Sequence, residues 1–299
     1  MQSTKPLVIV ILGPTASGKT NLAIQLAKHY QIDIHNIDSR QVYKGMDIGT
    51  AKPTKDQQKQ AKHLLIDICN PNKRITLHEF QKKATSYLNK AFRTNEIALM
   101  AGGSGLYLKS LTGGLLPPEV PPQKKLREQL QKLRKVECHQ LLQLCDPISA
   151  EKISPADSIR TIRALEVFYS TGKPISSLKS IKNPPWNVIE LGLNPENLDQ
   201  LINKRTQSMY KNGLIEETKE LINQYGYELP LLKTIGYEEA LCIIKGSIST
   251  SEAILITNQR TRHFAKRQKT WFKNQHSPKW LNHENSLKES IHLIQEVLG

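Results

Sequence analysis

The sequence predicts an α/β protein with a parallel central sheet, a helical insertion and a helical C-terminal region. Three observations predict this fold. Short apolar runs alternate with amphipathic stretches in the first third of the chain, which is the pattern of parallel strands joined by helices. Two proline clusters then bracket a segment of helical pattern, and such clusters commonly mark domain junctions. Beyond them, one strand-like run precedes sequence that is mostly helical in pattern.

The individual elements follow from the spacing of apolar residues. Strands are predicted at Leu7–Leu12, Ile34–Ile37, Leu64–Ile68, Ile97–Ala101 and Val188–Leu193. Helices are predicted at Lys19–Tyr30, Leu77–Arg93, Gln123–Leu144 and Ser158–Thr171, the last with Gly172 as its stop signal. The proline clusters are Pro117, Pro118, Pro121 and Pro122, and later Pro184 and Pro185. We therefore expect a core formed by residues 1–117 and 186–299, interrupted by a helical insertion over residues 118–185.

Basic residues exceed acidic ones, which indicates a polyanionic partner. The chain has 42 Lys and Arg against 27 Asp and Glu, a formal net charge of +15. Such a surplus favours nucleic acid or a membrane surface, with a generally solvated basic surface as the alternative. No acidic residue lies between Glu252 and Glu284, a stretch that we call the basic segment. It carries cations and aromatic rings, which favours RNA: Arg260, Arg262, Lys266, Arg267, Lys269, Lys273 and Lys279, with Phe264, Trp271, Phe272 and Trp280.

Composition excludes several other classes of protein. No apolar run approaches the roughly 20 residues that a membrane-spanning helix needs, and the first residues lack the pattern of a secretory signal. The four cysteines form no C-x-x-C pair, so we expect neither a zinc site nor a disulfide framework. We therefore expect a cytoplasmic protein that does not associate with membranes, and we expect it to be a monomer.

One motif predicts a phosphate site. Gly13–Thr20 matches G-x-x-x-x-G-K-[ST] in full and lies between a predicted strand and a predicted helix. This arrangement predicts a P-loop NTPase-like core, in which backbone amides and the helix N-terminus bind phosphate oxygens. Lys19 would reach a terminal phosphate, and Thr20 would ligate Mg²⁺. The predicted diphosphate-binding residues are Gly13, Thr15, Ala16, Ser17, Gly18, Lys19 and Thr20.

The end of the fourth predicted strand lacks the carboxylate that is typical of kinases and NTPases. Kinases and NTPases usually hold their metal with an Asp at the end of an apolar strand. The strand at Ile97–Ala101 instead runs into the glycine-rich Gly102–Tyr107, although Asp67 could substitute. The P-loop could therefore bind a diphosphate that is a leaving group. The glycine-rich turn would let backbone come close to a ligand and present the Ser104 hydroxyl as a donor.

Asp38 directly follows the second predicted strand. Ligands bind at the carboxyl ends of parallel strands, so this carboxylate should lie beside the P-loop. It could accept a proton from a nucleophile, bind Mg²⁺ through water, or cap the turn that follows. All three roles remain open at this point.

Seven blocks, in order along the chain, resemble the tRNA dimethylallyltransferase family, also called the tRNA isopentenylpyrophosphate transferase family. The resemblance covers nearly the whole chain. The scattered cysteines do not form the C-terminal zinc finger of some eukaryotic members, so the chain looks like the bacterial type. The blocks are Gly13–Thr20, Asp38–Tyr43, Gly49–Pro53, Gly102–Tyr107, Arg160–Thr171, Ile235–Glu239 and Thr261–Trp271.

The resemblance implies an activity. A dimethylallyl group would pass from dimethylallyl diphosphate to the exocyclic amine of an adenosine adjacent to the anticodon of a tRNA. Pyrophosphate would be released, and Mg²⁺ would be required. The implied fold is a P-loop core with a channel that admits the donor from one side and RNA from the other. The helical insertion would grip the anticodon stem-loop.

The resemblance also implies roles for individual residues. Asp38 would accept the amine proton and help to bind the flipped base, and Arg205 would contact the diphosphate. Ser104 stands where the family usually has Thr, so its diphosphate contact should persist with looser placement. The implied tRNA-binding residues are Asp38, Ser39, Arg40, Gln41, Ser104, Arg127, Ile159, Arg160, Thr161, Ile162, Arg163, Lys233, Gly236 and Tyr237.

Simpler interpretations of several residues stay open. Arg205 could be a cation on a helix surface. Arg160 and Arg163 could pair with acidic neighbours one helical turn away, Asp157 and Glu166. Trp271 and Phe272 are more typical of a core than of base stacking.

Two other classes of function compete with tRNA prenylation. One is a small-molecule enzyme, either a prenyltransferase acting on free adenine nucleotides or a P-loop kinase. The other is an RNA-binding protein without catalysis. The insertion and the basic segment favour RNA over a free nucleotide, whereas Asp38 and the two glycine-rich loops favour an enzyme.

Overall fold

The computed structural model describes residues 5–178 and 180–299, and it confirms the predicted α/β class. Six strands form one sheet in the order β3-β2-β4-β1-β7-β8, and all of its neighbouring strands are parallel. A second sheet pairs β5 with β6 in antiparallel fashion. The strands are β1 Leu7–Leu12, β2 Ile34–Ile37, β3 His63–Leu64, β4 Ile97–Gly102, β5 Leu115–Leu116, β6 Ser180–Ile181, β7 Asn187–Gly192 and β8 Lys279–Trp280.

Helices supply most of the remaining chain. They are α1 Lys19–Tyr30, α2 Lys55–Gln60, α3 Leu77–Ala91, α4 Gly105–Thr112, α5 Lys124–Leu130, α6 Lys135–Cys145, α7 Pro147–Lys152, α8 Ser158–Thr171, α9 Ile175–Leu178, α10 Leu198–Lys211, α11 Leu214–Tyr225, α12 Tyr237–Ile244, α13 Thr250–Gln275 and α14 Ser286–Leu298, with a 3₁₀ turn at Pro230–Lys233. None of them, within the described ranges, is long and apolar enough to cross a membrane.

Several observed elements differ from the predicted ones. The strand expected at Leu64–Ile68 ends at Leu64, because Leu65 and Asp67 adopt positive φ angles of 64° and 54° that turn the chain. The helix expected at Gln123–Leu144 is divided into α5 and α6. The short strand β8 lies in a region that was expected to be helical, and its backbone pairs with β7.

The chain divides into two compact units, one of residues up to Thr112 and from Pro184 to Gly299, the other of Gly113–Asn183. The second unit begins at Gly113 rather than at residue 118, and ends at Asn183 rather than at residue 185. The shift has a local cause. Strands β5 and β6 pair with each other, and the Lys182 amide donates to the Gly114 carbonyl at 2.9 Å, so both ends of the segment belong to its own structure.

β1 is buried along its whole length between β4 and β7. Both faces of such a strand are covered, which explains its unbroken apolar run. Val8 and Val10 belong to one core cluster, and Ile9 and Ile11 to another. The strands β1, β2 and β4 end at the same edge of the sheet, since Leu12 and Ile37 both pair with Gly102. The loops that follow these strands are thereby brought together.

Helix α13 brings the basic segment to this part of the fold. It begins with a capping box, in which Ser249 and Glu252 satisfy each other's backbone amides. Its side chains at Ala265, Gln268 and Phe272 are buried, and it packs against α4, α10 and α12.

The Gly113–Asn183 unit has its own apolar core, which includes Leu130, Leu142 and Leu165. Glu166 lies inside it with no exposed side-chain surface. Burial opposes the ionisation of this carboxyl, but hydrogen bonds from Arg127, Gln123 and Arg163 lower its pKa to about 2. A buried carboxylate satisfied in this way ties α5 and α8 together.

Candidate active site

The loop between β1 and α1 has the backbone that its glycines permit. Gly13 has a φ of 148°, and a Cβ there would lie 2.3 Å from the carbonyl oxygen of Leu193. Gly18 has a φ of 90° and immediately precedes α1. Both positions therefore require glycine. The Lys19 side chain folds back over the loop, and its Nζ donates to the Pro14 carbonyl at 2.6 Å.

Two cations meet at this loop. Arg205, on α10, donates from Nη1 to the Thr15 hydroxyl at 2.8 Å, so it lies in the site and not merely on a helix surface. Burial lowers the pKa of Arg205. Burial, together with the charge of Arg205, lowers the pKa of Lys19 to about 7, and the Asp38 carboxylate opposes both shifts. Desolvated cations of this kind are suited to binding a polyanion that restores the lost solvation.

A cavity of about 160 Å³ lies beside these cations. Its walls come from the P-loop, the ends of β2 and β4, and helices α10 and α13. The residues lining it include Thr15, Ala16, Ser17, Gly18, Lys19, Thr20, Asn36, Asp38, Gln41, Thr50, Ala51, Arg205, Phe264 and Gln268. The carboxylate, the two cations and the loop amides therefore surround one space.

Asp38 caps the turn after β2, one of the three roles that the sequence left open. Its Oδ1 accepts hydrogen bonds from the amides of Arg40, at 2.8 Å, and Gln41, at 3.3 Å. Its Oδ2 accepts no hydrogen bond within residues 5–178 and 180–299. Since Asp38 lines the cavity, this second oxygen is available to a ligand.

The second glycine-rich loop makes room for protein groups, and two of its residues, Gly102 and Gly103, also line the cavity. A Cβ on Gly102 would lie 2.0 Å from the Ile37 carbonyl oxygen. Cβ atoms on Gly103 and Gly105 would collide with side chains from α13. The Ser104 hydroxyl accepts a hydrogen bond from the Ser39 amide at 2.9 Å, so it secures the turn that begins at Asp38.

Gln268 is a site residue that the sequence did not identify. Its Oε1 accepts from the Thr15 amide and its Nε2 donates to the Gly103 carbonyl, both at 2.8 Å. It therefore joins the P-loop to the second glycine-rich loop. Phe264, one turn earlier on α13, also lines the cavity. Their i, i+4 spacing places them on one helix face, but only tertiary contacts show what that face meets.

The expectation that Asp67 could substitute as a metal ligand is wrong, because Asp67 does not line the cavity. Its carboxylate accepts from the buried Lys52 Nζ at 2.6 Å, and Asp47 accepts from the same Nζ at 2.5 Å. Lys52 also donates to the Tyr43 carbonyl at 2.8 Å. This ion-pair cluster holds the chain beside the cavity.

The implied RNA contacts in the first unit differ in exposure. Arg40 and Lys233 are exposed, and Ser39 is half-buried. Gly236 is buried with a φ of 93°. Tyr237 is 0% exposed and donates to the Glu217 carboxylate at 2.6 Å, so a direct side-chain contact between Tyr237 and RNA is wrong for this structure.

The implied RNA contacts in the second unit also differ in exposure. Ile159 is 82% exposed, and the Arg160 guanidinium, also exposed, lies 3.4 Å from Asp157. Burial corrects the expectation of direct RNA contact for Thr161 and Ile162. Arg127 and Arg163 support the unit's interior, but their side chains are 24% and 30% exposed, so their contact with RNA stays a prediction. Thr161 and Ile162 are buried, and Arg127 and Arg163 are bound to Glu166 at 2.6 and 2.5 Å.

The aromatic rings of the basic segment also differ in exposure. Phe272 is fully buried in the core and Trp271 packs against Gly105, as expected from the simpler interpretation. Phe264 and Trp280 are 39% and 45% exposed. Their exposed faces leave both rings accessible to a base.

Comparisons with known proteins identify the family of this chain. The profile of the IPP transferase family matches residues 41–275. A tRNA dimethylallyltransferase of a Prochlorococcus marinus strain is 63% identical over 299 residues, with 100% of both chains covered. Another, of a Synechococcus strain, is 55% identical over 98% of this chain and 95% of its own.

Solved structures extend the similarity to the fold. A tRNA delta(2)-isopentenylpyrophosphate transferase from Staphylococcus epidermidis is 35% identical with a TM-score of 0.70, covering 98% of this chain and 99% of its own. A eukaryotic dimethylallyltransferase described as acting on tRNA is 27% identical with a TM-score of 0.80, covering 93% of this chain and 74% of its own. This protein, with a P-loop, two cations and a carboxylate around one cavity, thus belongs to the IPP transferase family that its motifs resemble.

Proposed function

We propose that this protein transfers a dimethylallyl group from dimethylallyl diphosphate to the exocyclic amine of an adenosine next to the anticodon of a tRNA, releasing pyrophosphate. Family membership supports the reaction class. The observation that carries the proposal is the meeting of Lys19, Arg205 and Asp38 around one cavity. Two cations suit a diphosphate leaving group, and a carboxylate suits an amine that must lose a proton.

On the donor side, the bond between the allylic carbon and the diphosphate oxygen breaks, and its electron pair leaves with the diphosphate. The main requirement is to stabilise the negative charge that develops on that oxygen. Lys19 and Arg205 supply positive charge, and P-loop amides other than that of Thr15 supply hydrogen bonds. Gln268 holds the loop through the Thr15 amide, so the donors are fixed before the reaction begins.

On the acceptor side, the adenine nitrogen forms the new bond to the allylic carbon and loses one proton. An aromatic amine is a poor nucleophile, so a nearby base contributes as the proton departs. Asp38 can serve through Oδ2, because Oδ1 is occupied by the turn. The base must first leave its stack in the anticodon loop, and Phe264 offers a partly exposed ring at the cavity wall.

The Thr20 hydroxyl and the Asp38 carboxylate, which both line the cavity, are oxygen ligands of the kind that Mg²⁺ prefers. The Thr20 hydroxyl lines the cavity and has no hydrogen-bond partner among the described residues. No group of three or more His, Cys, Asp or Glu in those residues could hold a metal alone. This suits Mg²⁺, which keeps several waters and is bound largely by substrate phosphates. Thr20 would hold the ion directly and Asp38 through water, and the bound ion would neutralise diphosphate charge.

Replacing Thr20 with valine should raise the Mg²⁺ concentration needed for half-maximal transfer by about tenfold. Valine keeps the shape of the side chain and removes the oxygen ligand. Transfer should be titrated with MgCl₂ after chelation by EDTA, with Thr250→Val, at the exposed start of α13, as the control. An unchanged Mg²⁺ requirement would remove Thr20 from the metal site.

The pKa of Lys19 predicts proton uptake when a diphosphate binds. With a pKa of about 7 in the free protein, Lys19 is mostly neutral at pH 8, and a bound anion would raise its pKa. Affinity for pyrophosphate should therefore fall as the pH rises above 7, and binding at pH 8 should take up as much as about one proton.

Calorimetry in two buffers of different ionisation enthalpy measures this uptake. Lys19→Arg is the reference, because arginine stays charged and should take up no proton at this position. Equal uptake by the natural protein and by the arginine variant would contradict the shifted pKa.

One experiment separates the proposed function from its alternatives. The purified protein is given labelled dimethylallyl diphosphate and Mg²⁺ with either unmodified tRNA or AMP. We expect label in the tRNA and none in AMP. Label in AMP would support a prenyltransferase for free nucleotides, ATP-dependent phosphate transfer would support a kinase, and tRNA binding without either reaction would support a passive RNA-binding protein.

The Gly113–Asn183 unit is proposed to grip the anticodon stem-loop. Its support is chemical: Ile159 and Arg160 are exposed at the start of α8, where a cation can meet a phosphate. Arg160→Ala should weaken tRNA affinity, and the effect should shrink as the salt concentration rises.

A further inference from the structure

The backbone amides of residues 47–49 bind the carboxylate of Glu217, which is distant in sequence. Its Oε2 accepts from the amides of Asp47, at 3.0 Å, and Ile48, at 2.8 Å. Its Oε1 accepts from the amides of Ile48 and Gly49, both at 3.1 Å. Three successive amides thus converge on one carboxylate from α11, an arrangement typical of backbone anion sites.

Tyr237 completes this contact from α12. Its hydroxyl donates to Glu217 Oε1 at 2.6 Å. Burial raises the pKa of the Tyr237 phenol and the Glu217 charge raises it further, so the hydroxyl remains a donor. The ring lies so close to Gly49 that a Cβ there would be 2.3 Å from Cε2. Glycine at position 49 is therefore required by the ring of Tyr237.

The backbone that Glu217 holds continues into the cavity wall. The Ala51 amide donates to the Ile48 carbonyl at 3.0 Å, and the Lys52 amide to the Asp47 carbonyl at 2.9 Å. Ala51 has a φ of 47°, a left-handed conformation that costs free energy unless its surroundings hold it. We call residues 47–51 the wall turn, since Thr50 and Ala51 line the cavity.

The wall turn in turn orients Gln41. The Gln41 Nε2 donates to the carbonyls of Thr50, at 3.3 Å, and Ala51, at 3.0 Å. Its Oε1 accepts from the Asn36 side chain at 3.0 Å, and its backbone amide donates to Asp38 Oδ1. Hydrogen bonds, joined by short segments of backbone, therefore link Glu217 to the carboxylate in the cavity.

We propose that Glu217 and Tyr237 are positioning residues, which set the wall turn and Gln41 so that the acceptor base and Asp38 meet in the reactive geometry. This inference rests on the proposed function. Neither side chain lines the cavity, and both act through the wall turn. The P-loop is held separately, through Gln268 and Arg205, so the two halves of the site respond to different substitutions.

Glu217→Gln is the sharpest test. Glutamine has nearly the same size, but its NH₂ group would face backbone N–H groups that need an acceptor. The wall turn should loosen, and hydrogen exchange of the amides of residues 47–49 should accelerate by about tenfold or more. Turnover at saturating tRNA should fall by roughly tenfold, because a small misplacement of reacting groups is costly. Affinity for dimethylallyl diphosphate should stay within about twofold.

Two further variants complete the test. Glu220→Gln makes the same change on an exposed part of α11 and should leave all three measurements unchanged. Tyr237→Phe removes one hydroxyl and keeps the ring, so it should produce a smaller effect of the same pattern. It also serves if Glu217→Gln does not fold.

Two results would overturn the inference: unchanged exchange at residues 47–49 in Glu217→Gln, or parallel losses of donor affinity and turnover. The second would mean that the contact supports the whole fold and not the acceptor side. If the natural protein transfers no prenyl group to tRNA, the proposed function fails. The exchange measurement still decides separately whether Glu217 sets the wall turn.

Discussion

Asp38→Asn should lower prenyl transfer to tRNA by about a hundredfold or more, while the protein folds and still binds tRNA. Asparagine keeps an oxygen that can accept the amides of Arg40 and Gln41, so the turn after β2 persists. It removes the second carboxylate oxygen, which is the proposed proton acceptor. Single-turnover transfer from labelled donor, at saturating tRNA, measures the loss without a contribution from product release.

Two companion variants interpret that result. Asp33→Asn makes the same chemical change just before β2, where Asp33 pairs with Lys62 at 3.2 Å, and should stay within about twofold of the natural rate. Asp38→Ala removes the turn cap as well as the base, so it should be at least as slow as Asp38→Asn. Near-normal turnover by Asp38→Asn would exclude Asp38 as the base.

Lys19→Met should lower transfer by roughly 10²- to 10³-fold, the usual effect of removing one group that stabilises developing negative charge. Methionine fills similar space without the ammonium that compensates the departing diphosphate. Arg205 remains beside Thr15, so pyrophosphate should still bind, more weakly than to the natural protein. The rate at saturating donor and the affinity for pyrophosphate should be measured together.

The matched control for this prediction is Lys28→Met on the same helix. Lys28 is exposed and donates to Gln60 at 2.9 Å, away from the cavity. Its loss should change neither the rate at saturating donor nor the affinity for pyrophosphate by more than about twofold. If Lys19→Met behaves like Lys28→Met, the diphosphate does not bind at the P-loop.

Local patterns were sufficient for the framework of the fold and for its phosphate site. An unbroken apolar run predicted β1, a short run with isoleucine at each end predicted β2, and the Gly13–Thr20 motif predicted the loop that joins β1 to α1. These features depend on residues close in sequence. A pattern of local spacing therefore determines them, and the position of Asp38 at a strand end follows from the same topology.

Contacts between distant residues decided the rest. Gln268 accepts a hydrogen bond from the amide of Thr15, which is 253 positions away in the sequence. Glu217 accepts one from the amide of Ile48, which is 169 positions away. Nothing near either side chain in the sequence marks its partner.

The same reason separates exposed from buried members of one motif. Within residues 159–163, the first two side chains are exposed, the next two are buried, and Arg163 is bound to Glu166. Likewise, Tyr237 belongs to a block expected to contact RNA, yet its ring fills the space beside Gly49. Local patterns thus predicted four strands of the main sheet (β1, β2, β4 and β7), the P-loop and the family. The set of side chains that face the cavity could not be predicted in this way, because burial depends on elements that are distant in sequence and meet only in the folded chain.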